Sequence, residues 1–488
     1  MRLSKSRFIA GVQCLKRLYL EVHQPELAGE LDEQSLAVIE QGHEVGRWAQ
    51  KVFPGGVLIE AGHEEMDKAL QQTEQAAANK RHTAIFEATF THDNVLVRID
   101  ILERLPRNKW RLIEVKSSTS VKDYYIYDVA IQRLILEGCG IEVVPCLMHL
   151  NREYVYDGKQ YDLKQLFVIR DLTDQSKAIE KDVKDLIREE RKVLARATPP
   201  DIEPGSQCTN PFTCEFYDHC NRPLPTDHVE NLPGITPTKL EKLAALGVKS
   251  IGDIPKDFPL TERQKRASEC ARTGRPWFGK GLKQALAGLH YPLWFMDFET
   301  LGAALPRYAG MSPYDAIPFQ WSVHIQRKPG TELEHFEFLA ADTNDPRLRF
   351  VKALCQVIGK KGSVLAYNSG FESGCLASLA DELPQYKDEI GNIQGRLWDL
   401  LPVIRAHVYD LAFRGSYSLK SVLPALVPDM SYDGMEVAEG NDAGLAWEKM
   451  VHAEAGSEER RRLRDALLAY CKQDTLAMVR LLEVLQAA

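Results

Sequence analysis

The chain reads as an α/β protein of several domains. Short apolar runs rich in β-branched and aromatic residues alternate with segments of helical period, and 44% hydrophobic with 27% charged residues is a globular composition. A length of 488 residues, at about 100–200 per domain, predicts two to four domains. No run of about 18 apolar residues occurs, and the segment after Arg7 is interrupted by Gln13, Lys16 and Arg17. The expectation is a cytoplasmic protein without a membrane partner. A net charge of −8 argues against a histone-like binder, but it leaves room for local basic grooves because metal-binding carboxylates add negative charge elsewhere.

Composition separates three zones. Residues 1–222 close in a loop, Ala197-Thr198-Pro199-Pro200-Asp201-Ile202-Glu203-Pro204-Gly205, followed by three cysteines. Residues 223–287 form a small helical connector punctuated by glycine at Leu232-Pro233-Gly234-Ile235 and around Leu246-Gly247-Val248. This resembles a helix-hairpin-helix, whose glycine turn can offer N–H groups to a phosphate; a plain spacer is the alternative. Residues 288–488 read as strand Leu293–Glu299, strand Pro318–Gln326, a turn at Lys328-Pro329-Gly330 and strand Leu333–Ala340. Helix Pro346–Gly359, strand Ser363–Tyr367 and further helices follow, the last running from Glu458 to Ala487. That order resembles an RNase H-like fold.

Leu293-Trp294-Phe295-Met296-Asp297-Phe298-Glu299 ends an apolar strand with two acids on one face, since residues i and i+2 of a strand point the same way. Paired anions against a covered sheet face require a cation, and oxygen-bound divalent metals are the usual one. The alternative is a strand end emerging into solvent. Asp474 falls on the apolar stripe of the last helix, four residues after Tyr470, and Ala366-Tyr367-Asn368-Ser369-Gly370-Phe371-Glu372 brings another acid to a strand end and helix start. These segments resemble the DEDD 3'-5' exonucleases of the DnaQ-like group, with Tyr470 and Asp474 spaced as in the tyrosine subclass. The resemblance implies that Asp297, Glu299, Glu372 and Asp474 hold two Mg or Mn ions about 3.5–4 Å apart, that Tyr470 orients the attacking water and that Asn368 positions substrate. The family normally carries Asp where this chain has Glu372, one methylene longer. Asp399 and Ser416-Tyr417-Ser418-Leu419-Lys420 resemble packing and strand-contact segments of such folds and are read as structural.

In the first zone, Val95–Leu102 and Trp110–Val115 alternate as a hairpin around Pro106-Arg107-Asn108-Lys109. Asp100 lies near the end of one strand, and Glu114-Val115-Lys116 ends the other. This spacing resembles the PD-(D/E)XK nuclease core, which implies one or two Mg or Mn ions on Asp100 and Glu114, with Lys116 positioning water or offsetting charge on the phosphate. Gln132, on a helix over Tyr124–Glu137, matches a glutamine of the RecB branch; the tyrosine that branch places four residues later is Leu136 here. His43, in Gln41-Gly42-His43-Glu44-Val45-Gly46, matches the branch's helical histidine and would add a metal ligand.

Cys14 stands alone near the N-terminus, while Cys208, Cys214 and Cys220 follow one another with five residues between successive members. One distant cysteine plus a C-terminal trio resembles the iron-sulfur RecB-like nucleases, AddB among them. Four thiolates suit a 4Fe-4S cluster or zinc. Zinc sites more often use pairs two to four residues apart, so the cluster is preferred and zinc is the alternative. The other six cysteines, Cys139, Cys146, Cys270, Cys355, Cys375 and Cys471, read as core residues. The whole chain resembles a fusion of an iron-sulfur PD-(D/E)XK, restriction-endonuclease-like domain with a DnaQ-like exonuclease. That implies a nuclease acting on single-stranded DNA or DNA ends in preference to RNA. Two alternatives stand beside it: an RNA 3'-end trimming enzyme, and a nucleic-acid-binding or scaffolding protein in which one or both sites lack turnover.

Overall fold

The computed structural model describes residues 2–62, 64–221 and 224–488. The chain is α/β with two mixed sheets, divided into a unit of Met1–Arg222 with Ala303–Asp315 and a unit of Pro223–Gly302 with Ala316–Ala488. The boundary expected at 222/223 falls outside the described residues. Residues 223–287 are counted within the second unit, and Ala303–Asp315 folds with the first, where the Ala304 N–H donates to Gln41 Oε1 at 3.0 Å. Among the described residues no helix is long and apolar enough to cross a membrane.

The first unit's sheet contains strands β1 (Leu3–Ser4), β2 (Val57–Leu58), β3 (Ala84–His92), β4 (Val95–Arg104), β5 (Trp110–Lys116), β6 (Val143–Leu150) and β7 (Phe167–Asp171). Its order is β2-β3-β4-β5-β6-β7, with β1 parallel to the start of β4. Strands β3, β4 and β5 form an antiparallel meander; β3 and β4 are joined by Asp93 and Asn94, both at left-handed φ (46° and 55°), the geometry of a tight two-residue hairpin. The helix Asp123–Gly138 then returns the chain to make β6 parallel to β5. It covers one sheet face, packing Val129, Ile131 and Leu136 among Val97, Ile99 and Leu112.

A buried acid in this core gives a stability prediction. Glu190, on the helix Glu180–Leu194, has no exposed surface, and neither carboxylate oxygen has a hydrogen-bond partner. Gly11 leaves room for it, since a Cβ there would lie 2.2 Å from Glu190 Oε1. Burial, then the neighbouring Glu189 charge, push the Glu190 carboxyl up to about 9. The folded pKa lies above the usual 4.5, so the folded state holds the proton more tightly, and stability falls as pH rises from 4.5 towards about 9. Glu190→Gln should therefore match the wild type near pH 4 and be more stable by roughly 2 kcal/mol at pH 8 in urea titrations. Equal stability at pH 8 would refute the buried neutral acid.

In the second unit, β8 (Trp277–Phe278) pairs with β14 (Val408–Tyr409), apart from a sheet of β9 (Leu293–Gly302), β10 (Ala316–Gln326), β11 (Leu333–Leu339), β12 (Ser363–Ala366) and β13 (Leu397–Asp399). The order is β11-β10-β9-β12-β13, antiparallel across the first three and parallel from β9 through β12 to β13. One face carries Trp294, Met296, Phe298, Trp321, Val323 and Ile325 against Phe350, Leu354, Leu376 and Leu379 of two helices, Arg347–Val357 and Gly370–Glu382. The opposite face receives the C-terminal helix Glu458–Ala487, tied by Gln320 Nε2 donating to the Leu467 carbonyl at 2.7 Å.

Two expectations change. β9 continues to Gly302, so Glu299 sits inside a strand, opposite an irregularity between Pro318 and Gln320 in β10. After the connector helix Pro237–Ala245, Gly247 does make a left-handed turn (φ 70°), but a three-residue 3-10 turn, Ile251–Asp253, follows it, and the next α-helix begins only at Glu262. Pro255 disfavours helical geometry at Ile254, whose ψ of 127° ends that turn.

Candidate functional site

In the second unit, strand alternation turns Asp297 and Glu299 away from the tryptophan-rich core and towards the C-terminal helix. That helix presents Tyr470, Cys471 and Asp474 to them. Ligand atoms of Asp297, Glu299 and Cys471 lie within 4.8 Å of one another, and Cys471 Sγ is 3.9 Å from Asp297 Oδ2. Glu372, in the first turn of the helix Gly370–Glu382, is 3% exposed and its Oε2 has no partner.

Burial, and after it the mutual charge of the acids, governs this cluster. Burial and then the charges of Asp474, Glu299 and Glu372 push Asp297 well above the usual carboxylate range, and burial followed by Asp474 does the same to Glu299. Burial lifts Glu372 to about 7 and Asp474 to about 6, the latter restrained by hydrogen bonds and by Lys420. The phenol of Tyr432 donates to Asp474 Oδ1, and Tyr470 also supports this carboxylate. Burial and the acids hold both phenols neutral. The Lys420 ammonium lies 5.7 Å from the Tyr432 ring centre and 5.5 Å from that of Tyr470. Lys420, whose sequence context suggests a packing segment, is thus a cation beside the acids, and Tyr432 joins the site without any sequence motif to mark it. Asn368 adopts a left-handed φ of 68°, and its N–H and that of Ser369 donate to Asp399 at 2.9 and 3.1 Å, so Asp399 fixes the loop before Glu372.

Behind the acids lies a buried polar network. Thr475 Oγ1 is 2.7 Å from both Ser322 Oγ and His324 Nδ1, and Ser322 Oγ is 3.0 Å from His335 Nε2. Ser322 sits opposite Asp297 in the β9–β10 register. The alternation Gln320-x-Ser322-x-His324 within an otherwise apolar strand is the sequence signal for this face. Burial holds His324 down to about 3 and His335 to about 4, against a usual 6.5. Because these folded values are depressed, their contribution is present above pH 6.5 and is lost as pH falls towards 3. Thr475→Val should cost roughly 1–3 kcal/mol at pH 8, since it strands buried partners; a change below a few tenths in urea unfolding would contradict that network.

In the first unit, β4 and β5 pair as far as Ile101↔Ile113 and then part, leaving the Val115 N–H to donate to Asp100 Oδ2 at 2.7 Å. Glu114 is 2% exposed, and Gln132 Nε2 donates to its Oε2 at 2.7 Å. Lys116 Nζ bridges Glu114 Oε1 (2.8 Å) and Asp128 Oδ2 (2.5 Å). Lys5, which follows β1, lies 2.9 Å from both Glu114 oxygens. The pairing of β1 with β4 delivers it there, across 109 residues of sequence. Burial and the Glu114 charge push Asp100 up to about 7; burial would also raise Glu114, but Lys116 and Lys5 overcome it and hold Glu114 well below its usual range.

A cleft of about 490 Å³ is lined by Asp100, Glu114 and Lys116, with His43 on its wall. His43 is exposed and pairs with Glu40 at 3.5 Å; no group of three close ligand atoms among the described residues includes it. Glu87 also lines this cleft. It stands opposite Asp100, where its left-handed φ of 59° interrupts the β3–β4 ladder, and Arg98 holds it at 2.6 Å.

Cys14, Cys208, Cys214 and Cys220 line one small cavity, and Cys214 N–H donates to the Cys208 carbonyl at 2.8 Å. Among the described residues no three of these sulfurs lie within 4.8 Å of one another. Tetrahedral zinc with bonds of about 2.3 Å would bring sulfurs to roughly 3.8 Å. Cys139, expected in the core, is exposed because it caps the end of the helix Asp123–Gly138.

A domain of unknown function, DUF2779, matches residues 294–418. The match spans Asp297, Glu299 and Glu372 and ends before Tyr432, Tyr470 and Asp474. No curated protein matches the chain.

Proposed function

We propose that the chain is a metal-dependent nuclease with a 3'-5' exonuclease centre in the second unit and a PD-(D/E)XK-type centre in the first, acting on single-stranded DNA or DNA ends. The observation that carries this reading is the set of buried Glu299, Glu372 and Asp474 beside the partly exposed Asp297, four acids whose repulsion needs a counter-charge and one of which has an orphaned oxygen. The sheet order β11-β10-β9-β12-β13 supports an RNase H-like, DnaQ-like domain, and the β3-β4-β5 meander with a crossover helix to β6 supports a restriction-endonuclease-like one. The donor set fits hard divalent cations, which prefer oxygen ligands. Magnesium or manganese held there would activate water and stabilise the leaving oxygen. The chain's own groups do the rest. Tyr432 and Tyr470 remain protonated and can donate to Asp474 or to a water; Lys420 offers a positive charge to a phosphate; Asp399 holds the loop that carries Glu372.

In the first unit Lys116 bridges Glu114 and Asp128, and Gln132 orients Glu114. One observation favours a second reading for this unit: Lys5 satisfies both Glu114 oxygens, so Glu114 is already neutralised and binding without turnover fits too. Degradation of 5'- and 3'-labelled DNA and RNA with Mg or Mn decides among these readings. Asp297→Asn should remove 3'-5' trimming alone, and Asp100→Asn a separate cleavage. Trimming that survives Asp297→Asn refutes the exonuclease assignment; no loss with Asp100→Asn leaves the first unit as a binding module, and preference for RNA ends favours RNA trimming.

We infer a thiolate-bound 4Fe-4S cluster for the cavity that Cys14, Cys208, Cys214 and Cys220 share, with zinc as the alternative. Purified protein should be brown, with iron and acid-labile sulfide in stoichiometric amounts, and Cys214→Ser should lose both. Colourless protein carrying zinc would overturn the cluster.

A further inference from the structure

The cysteine loop reaches towards the first unit's catalytic cleft through one exposed aromatic residue. Phe212, between Cys208 and Cys214, is 41% exposed. Gln13 Nε2 donates to the carbonyls of Gln207 and Phe212, each at 2.8 Å, which ties the loop to the helix preceding Cys14. The Arg17 guanidinium lies 5.1 Å from the Phe212 ring centre, and Tyr124 meets the ring edge-on at 6.4 Å. Lys122 lies 6.0 Å from Tyr124. Phe212 walls a cavity of about 280 Å³ with Arg17, Lys5, Lys116 and Asp128. Lys116 holds Asp128, Lys5 holds Glu114 from behind the wall and Arg17 Nε lies 3.5 Å from Glu215, so the wall itself carries three cations against one carboxylate. Lys116 also lines the cleft that holds Asp100 and Glu114, and the two cavities therefore meet at that lysine.

Aromatic rings interleaved with cations are how proteins hold unpaired nucleic acid without reading its sequence: bases stack and phosphates meet the charges. We propose that the Phe212 cavity seats an unpaired base of a single-stranded nucleic acid next to the first unit's catalytic cleft, with the flanking phosphates against Arg17 and Lys5. This rests on the reading of that unit as a nuclease domain. It also gives the cysteine cluster a specific role, because Cys208 and Cys214 bracket Phe212 and whatever binds the sulfurs sets the position of the platform. Phe212 is a positioning residue.

The test uses the full chain in EDTA with oligodeoxythymidine or oligouridine strands of about 12 nucleotides, a length within known single-strand site sizes, carrying one 4-thio base for photocrosslinking. Crosslinks should map to the Phe212 loop or Tyr124. Phe212→Ala should weaken binding of the strand that crosslinks there by about 5- to 100-fold, and Phe212→Trp should retain it. Phe212→Leu keeps apolar bulk without a π face, so a loss shared by Ala and Leu but absent from Trp is stacking and not misfolding. A strand abasic at the crosslinking position should bind wild type and Phe212→Ala equally. Crosslinks elsewhere within residues 1–221, with affinity unmoved by Phe212→Ala, overturn the platform and leave the nuclease reading standing. No crosslink anywhere in residues 1–221 overturns both.

Discussion

Asp297→Asn should abolish 3'-5' trimming and, in the same molecule, stabilise the metal-free protein. The activity loss is expected to be at least about 10²-fold, the scale on which one preorganised electrostatic group acts. The stability gain has a different origin. Asp297 is raised first by burial and then by the charges of Asp474, Glu299 and Glu372. Its folded pKa lies above its unfolded value, so stability falls as pH rises through the folded value, and the gain from an uncharged isostere grows with pH. Roughly 1–3 kcal/mol is expected at pH 8 in EDTA. Manganese should close the gap by stabilising the wild type through binding. Urea unfolding with and without metal reads both effects. A variant that loses stability along with activity would mean that these acids do not repel one another, and the metal-site reading would fail with it.

Lys5→Met should destabilise the first unit by roughly 3–5 kcal/mol in EDTA, because it removes one partner from a buried charge set. Lys5 contacts both oxygens of Glu114, which is 2% exposed, and stands 4.0 Å from Asp128. Lys116 alone must then balance Asp100, Glu114 and Asp128. A methionine keeps most of the packing volume, so the loss reports charge. Manganese should restore more stability to Lys5→Met than to wild type if the ammonium and the ion neutralise the same acids. A cost under about 1 kcal/mol, the range of an exposed pair, would show that Lys5 is only a surface lysine.

Much of both sites was legible because it depends on local period. A strand puts Asp297 and Glu299 on one face, a helix puts Tyr470 and Asp474 on one stripe, and an alternating hairpin brings Asp100 near Glu114. The helix expected over Tyr124–Glu137 is Asp123–Gly138, with Gln132 on Glu114. The residues that complete the sites were not legible. Lys5 arrives through the β1–β4 pairing, Tyr432 reaches Asp474 from 42 residues away, and Thr475 meets Ser322 and His324 only when the last helix lies on the sheet. His43 illustrates the converse: a motif match on a helix lines the cleft, but its side chain is exposed and pairs with its own helix.

From the sequence by itself come the α/β character, the order of strands and helices around both acidic sets, and the grouping of Cys14 with the later trio. The first two follow from periodicities of two and 3.6 residues, and the cysteine grouping from the resemblance to iron-sulfur RecB-like nucleases. The tertiary structure alone decided how each acid is balanced: Lys5 and Lys116 neutralise Glu114, whereas Asp297, Glu299, Glu372 and Asp474 face one another with Lys420 as the nearby cation. The reason is physical. The charge state of a buried acid depends on every group within a few ångströms, and sheet register and helix docking, not distance in sequence, determine which groups those are.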